Sequence, residues 1–358
     1  MNRISRRTLL SSGVGAAAAL SVPGFARSVA RAAMQPAEKS VDRPVEKQNV
    51  KIEHRTFGKT GLSVAVLGFG GSEIGYERTD DATVAKLLNA ALDAGLNVVD
   101  TAECYIASEE QIAKAIGHRR KDFHLFTKVG HWIPEGKDES WGWTKEGVLA
   151  SIDRSLQRLK TDHVELVQIH SCRVEQLKQG GCVEGLQEAQ KQGKTRFIGY
   201  SGDRDAAVYA VNMDVFDALQ TSVNIADQQG IDLFLPQAKA KNLGVVAKRP
   251  IANAAWRYND TPGNDYHVEY WKRFQKLKFP FASGDARNVQ GPDGPVGIAL
   301  RFTLQQPGVH VAIVGTSKPE RWSENAALTQ AGPLKPEQLK AIRDRWKEVA
   351  PQEWVGMT

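Results

Sequence analysis

Short aliphatic and β-branched runs alternate with longer stretches whose apolar positions recur every three or four residues. The short runs are 64–68, 96–100, 123–128, 164–170, 195–201, 216–221, 243–248 and 309–314. Four to seven residues of this type between polar segments read as buried strands. The longer stretches are 81–94, 108–116, 145–159, 174–193, 203–213, 231–242, 295–306 and 318–328, and their spacing predicts helices. Gly95 is a natural stop for the first of them and Ser108 a cap for the second. Eight strands alternating with eight helices predict a (β/α)8 barrel, a TIM barrel of the α/β class. The stretch "HRTFGKTGLSVAVLG" predicts a β-hairpin ahead of the first barrel strand, and 335–349 a C-terminal helix.

The competing architecture is a doubly wound nucleotide fold. Its glycine fingerprint is nearly present in "GFGGSEIG", where Gly68 and Gly70 fit but the third position falls on Glu73. No helical pattern begins there either, which favours the barrel.

The strand–helix alternation starts only near Lys51. Residues 33–50 are polar and proline-bearing and read as a linker. Residues 1–32 place Arg6 and Arg7 ahead of the short apolar run "GVGAAAALSV", and Ala30-Arg31-Ala32 fits a small-residue cleavage box. The stretch resembles a twin-arginine export signal, with an ordinary Sec signal or a disordered basic tail as the alternatives. That resemblance implies a Tat translocon partner during export, a periplasmic location and a protein that travels folded, with any cofactor already loaded. The formal net charge of +6 looks suited to a polyanion, but five arginines lie within residues 1–32, which carry no acid. Without them the charge falls to about +1, so neither nucleic-acid steering nor stable membrane attachment of the processed chain is expected.

In a (β/α)8 barrel, functional groups gather at the C-terminal ends of the strands. Asp100 ends the second predicted strand and Tyr105 follows it in "DTAECY"; Lys128 ends the third and His170 the fourth. Four chemically capable side chains at successive strand ends converge on one mouth. "GLNVVDTAECYIASEEQIAKAI", "FTKVG", "VQIHS", "GKTRFIGYSG", "LQTSVN" and "VGTSKPERWSEN" resemble, in order, the signatures of the aldo-keto reductase family, from about His54 to Leu328. The resemblance implies an NADP(H)-dependent reductase that turns an aldehyde or ketone into an alcohol, with Asp100, Tyr105, Lys128 and His170 as its tetrad. Tyr105 is then the proton donor, its pKa lowered by Lys128, which Asp100 holds in place. His170 orients and polarises the carbonyl.

By the same resemblance, Ser201 and Gln220 hold the nicotinamide amide, with Gly202 where the family has Asn. Arg249 is the candidate to stack on the nicotinamide ring. Gly315, Thr316, Arg321, Glu324 and Asn325 grip the adenosine end, with Arg321 and Thr316 on the 2′-phosphate. A phosphate at a helix start meets free N–H groups, and arginine offers it a planar fork. Gly315 stands where some members carry a phosphate-binding lysine.

Cys104, Cys172 and Cys182 match no zinc spacing, so no metal site is expected; Cys172 and Cys182 are a candidate disulfide. The aromatic, basic segment 251–294 is expected to form a lid over the mouth. The alternative function is a cofactor-binding sensing module with little turnover.

Overall fold

A computed structural model describes residues 51–357. The export signal and the linker expected over residues 1–50 lie outside them. Strands β1 (His54–Thr56) and β2 (Ser63–Ala65) form an antiparallel pair. The next eight strands are β3 (Leu67–Gly70), β4 (Val98–Asp100), β5 (His124–Val129), β6 (Val164–His170), β7 (Thr195–Ser201), β8 (Ala218–Ser222), β9 (Gly244–Lys248) and β10 (Val311–Val314). They pair in parallel with their sequence neighbours, and β10 closes on β3, giving the expected barrel. Among the described residues, no helix is long and apolar enough to cross a membrane.

Two apolar layers hold this shape. Inside the barrel, Val98, Phe126, Leu166, Ala218, Val246 and Val311 meet Phe57, Leu62 and Val64 from the hairpin. The hairpin therefore plugs the barrel interior. Gly244 permits it: a Cβ there would lie 2.6 Å from the Phe57 ring. Outside, the alternate strand residues pack against the helices; Val99, Val167, Ile169 and Val245 belong to that larger core. This in-and-out alternation is why the strands read as continuous apolar runs rather than as apolar–polar alternation.

Several boundaries differ from expectation. The run at 64–68 is divided: Val64 and Ala65 belong to the hairpin, and the barrel strand starts at Leu67. The helix expected over 174–193 breaks into Val174–Gln179 and Gly181–Lys191 at Gly180, whose φ of 83° is left-handed. The helix over 231–242 is likewise two short turns, Gln229–Leu233 and Leu235–Ala240. A five-residue helix, Ser72–Tyr76, does begin after the glycine-rich stretch, where the pattern showed none. Segment 251–294 contains the helix Asp265–Leu277; its Trp256, Tyr270 and Phe274 are buried in the core rather than spread over the mouth.

Candidate active site

Strand register brings the tetrad together. Asp100 is the last residue of β4, level with Gly70 and Phe126; Lys128 on β5 is level with Gln168 on β6. His170, Ser201 and Gln220 lie side by side across β6, β7 and β8. Lys128 Nζ donates to Asp100 Oδ2 at 2.5 Å and to the Thr101 carbonyl at 2.8 Å, and reaches the Tyr105 hydroxyl at 3.5 Å. Both ion-pair side chains are only 1% exposed. The Tyr105 and His170 rings meet edge to face, with centroids 5.8 Å apart.

Electrostatics correct one expectation. The Tyr105 phenol is not acidified in this state. Burial, then the nearby Asp100 carboxylate, hold its pKa well above the ordinary value. The Lys128 charge that was expected to lower it is paired at short range with Asp100, and burial penalises the phenolate. Tyr105 therefore stands as a protonated donor. His170 is held well below its usual pKa by burial and then by His131 and Lys128, so its imidazole is neutral.

Gln220, on β8, borders the tetrad. Its Nε2 approaches Asp100 Oδ2 at 3.4 Å, while its Oε1 accepts from Gln168 Nε2 at 2.8 Å. The Ser201 hydroxyl is buried without a hydrogen-bond partner among the described residues. A buried, unmatched hydroxyl at a barrel mouth is costly unless a ligand completes it, and it fits an amide-bearing cofactor. Gly202 departs from the family pattern for a local reason. A Cβ at that position would lie 2.5 Å from the Tyr200 hydroxyl, which donates to the Cys172 carbonyl at 2.8 Å.

Arg249 is held by several neighbours. Its guanidinium lies over the Tyr266 ring at 5.2 Å, donates to the Tyr266 and Ser222 hydroxyls at 3.1 Å each, and binds the Met357 carbonyl. Tyr266 thus covers one face of this guanidinium. Next to it, Lys248 pairs with Asp203 at 2.9 Å. Asp203 also accepts from the Thr221 hydroxyl and the Ser222 N–H, at 2.7 Å each. Burial opposes its ionisation, but Lys248 and these donors hold its carboxyl below the usual range.

The adenosine segment is looser. Gly315 follows β10, and the Glu73 carboxylate occupies the place of a side chain there: a Cβ on Gly315 would lie 1.6 Å from Glu73 Oε2. Thr316 Oγ1 accepts from the Lys318 N–H at 3.0 Å. The helix expected from 318 starts at Arg321 and runs to Thr329. Arg321 is 40% exposed and pairs with Glu324 at 3.3 Å, while Asn325 is buried.

Sequence reading missed Glu73, Gln168, Asp203 and Lys248. Gln168 carried a signal, since it stands two residues before His170 and a strand repeats its facing every two residues. The others depend on contacts between distant strand ends. Cys104, Cys172 and Cys182 are free thiols, so the candidate disulfide is not formed here. No group of three metal-ligating side chains occurs among the described residues.

The aldo/keto reductase family profile matches residues 66–347. L-galactose dehydrogenase of Arabidopsis thaliana is 30% identical over 298 residues, 78% of this chain and 89% of that protein. The uncharacterized oxidoreductase YqkF of Bacillus subtilis is 28% identical over 305 residues, covering 82% of this chain and 96% of its own. The solved holo form of the aldo-keto reductase AKR11C1 from Bacillus halodurans shares the fold, with a TM-score of 0.69 at 24% identity over 85% of this chain and 99% of that one. With a family match over most of its length and the tetrad gathered at the barrel mouth, this chain belongs to the aldo-keto reductase family of oxidoreductases.

Proposed function

We propose that this chain reduces an aldehyde or ketone to the alcohol with NADP(H), using Tyr105 as proton donor. The observation that carries this is the Lys128 ammonium, buried and shared between Asp100 at 2.5 Å and the Tyr105 hydroxyl at 3.5 Å. When bound, the nicotinamide supplies the hydride. Ser201 and Gln220 would hold its amide, and Thr316 and Arg321 would hold the 2′-phosphate. A carbonyl oxygen seated between Tyr105 and His170 accepts a hydrogen bond from each. As negative charge develops on that oxygen, the Tyr105 proton moves to it, and Lys128 stabilises the phenolate left behind. The high resting pKa of Tyr105 keeps the proton available until an alkoxide, a stronger base, demands it. Asp100 holds Lys128 in position throughout.

Tyr105→Phe tests this reading. The ring remains, so NADPH binding by fluorescence titration should persist while carbonyl reduction falls by at least about a hundredfold, the low end for general acid catalysis. Reduction at the wild-type rate would remove Tyr105 from the proposed role. Cofactor binding by the wild type without turnover on any aldehyde, ketone or sugar would favour the sensing module instead.

The paired Arg6–Arg7 ahead of a short apolar run supports Tat export to the periplasm. The variant with both changed to Lys should remain cytoplasmic on fractionation; a variant still reaching the periplasm would point to Sec.

A further inference from the structure

His170 can help a carbonyl only through a nitrogen that carries a proton, and a neutral imidazole has one such nitrogen. The surroundings of the other nitrogen therefore matter. Cys104 Sγ lies 3.5 Å from His170 Nδ1, within reach for a sulfur hydrogen bond. The Tyr76 phenol is a close electrostatic neighbour of the same thiol. The Tyr76 ring in turn leans on the Tyr105 ring, with centroids 5.7 Å apart. Cys104 thus sits where Tyr76, Tyr105 and His170 meet.

The helix Ser72–Tyr76 is pressed onto this loop. A Cβ on Gly75 would lie 2.0 Å from the Tyr105 carbonyl oxygen, so only glycine allows the approach that keeps Tyr76 against Cys104. Donor and acceptor chemistry then gives the contact between Cys104 and His170 a direction. Thiol sulfur is a weak acceptor and an unprotonated imidazole nitrogen a good one, so in this pair the S–H donates to Nδ1. Burial, then the neighbouring Glu103, push the Cys104 thiol up to about 12, so it keeps its hydrogen.

We infer that Cys104 is a positioning residue. Its S–H, seated between Tyr76 and Nδ1 of His170, fixes the imidazole with its proton on Nε2, the nitrogen left to donate to the substrate oxygen. The consequence for turnover rests on the carbonyl-reductase reading above, whereas the tautomer is a property of the free protein.

Full-length protein labelled with ¹⁵N-histidine tests both parts. In the wild type, the His170 signals should show a protonated Nε2 and an Nδ1 that accepts a hydrogen bond. Cys104→Val keeps the volume but removes the donor. It should abolish the hydrogen-bonded signature at Nδ1 and lower kcat roughly three- to tenfold, the effect of one neutral hydrogen bond. KM and cofactor affinity should change little. Cys104→Ser retains a donor and should keep the Nδ1 signature and most of kcat. Three results overturn the inference: a wild-type proton on Nδ1, an unaltered Nδ1 signal in Cys104→Val, or a serine variant as impaired as the valine variant, which would mark a packing role. If the wild type reduces no carbonyl, the proposed function fails, while the Nδ1 signal still decides the role of Cys104.

Discussion

The two ends of the proposed cofactor site are built differently. At the tetrad, Asp100 and Lys128 are almost fully buried and joined at 2.5 Å, and the Thr101 carbonyl takes a further Lys128 hydrogen. At the adenosine segment, Arg321 and Glu324 are 40% and 58% exposed and meet at 3.3 Å. The first end is preorganised. Its charges were taken out of water during folding, so they are already aimed when a substrate arrives. The second is a solvated pair of the kind that contributes little to stability, and its groups remain available to be reorganised by a ligand. A rigid end suits chemistry, where small displacements are expensive. A solvated end suits recognition of a charged group that brings its own binding energy.

The largest expected effect breaks the contrast at its buried end. Lys128→Met removes the only cation among the described residues that pairs with the Asp100 carboxylate, and leaves that group uncompensated in the barrel. Urea denaturation should show a loss of about 3–5 kcal/mol, as for other buried pairs broken from one side. Adding Asp100→Leu to it should recover much of that loss. A Lys128→Met protein as stable as the wild type would mean the pair is better hydrated than its burial implies.

Arg321→Ala examines the exposed end. Stability should move by no more than about 0.5 kcal/mol, because the lost ion pair is a surface one. NADPH affinity should fall roughly ten- to hundredfold, the value of a charge-assisted contact, and NADH affinity much less. Fluorescence titration with both cofactors separates the cases, and an equal loss for the two would show that Arg321 does not read the 2′-phosphate. Glu73, lying against Gly315, supplies an acid where a lysine would have helped the phosphate, so the Arg321 contribution should be the larger part of any preference.

The smallest effect concerns pH. His170 has a folded-state pKa well below its unfolded value near 6.5, so the unfolded chain binds the proton more readily. Its contribution to stability is fully present above about pH 6.5 and is lost as pH falls below that value. His170→Gln should therefore flatten the acid side of a stability–pH profile by up to one proton. An unchanged acid slope in the variant would show that His170 is protonated in the folded state.

Much of the molecule was legible in the sequence because it rests on local periodicity. Continuous apolar runs and three-to-four spacing identified eight strands and eight helical segments, and strand-end positions singled out Asp100, Lys128 and His170 before any contact was known. The two helices that broke did so at Gly180 and near Phe234, where the apolar spacing carries through but the backbone does not. Tertiary structure alone decided what depends on distant segments meeting. The Tyr105 pKa rises because burial and Asp100 outweigh a lysine already committed elsewhere. Arg249 is claimed by Tyr266, Ser222 and Met357, residues 17, 27 and 108 positions away. Gly315 is closed by Glu73, which the chain places more than two hundred residues earlier but barrel closure, β10 against β3, sets beside it. A one-dimensional pattern records which face of an element is apolar. It does not record which charges will share a low-dielectric mouth, and those shared fields set the site's chemistry.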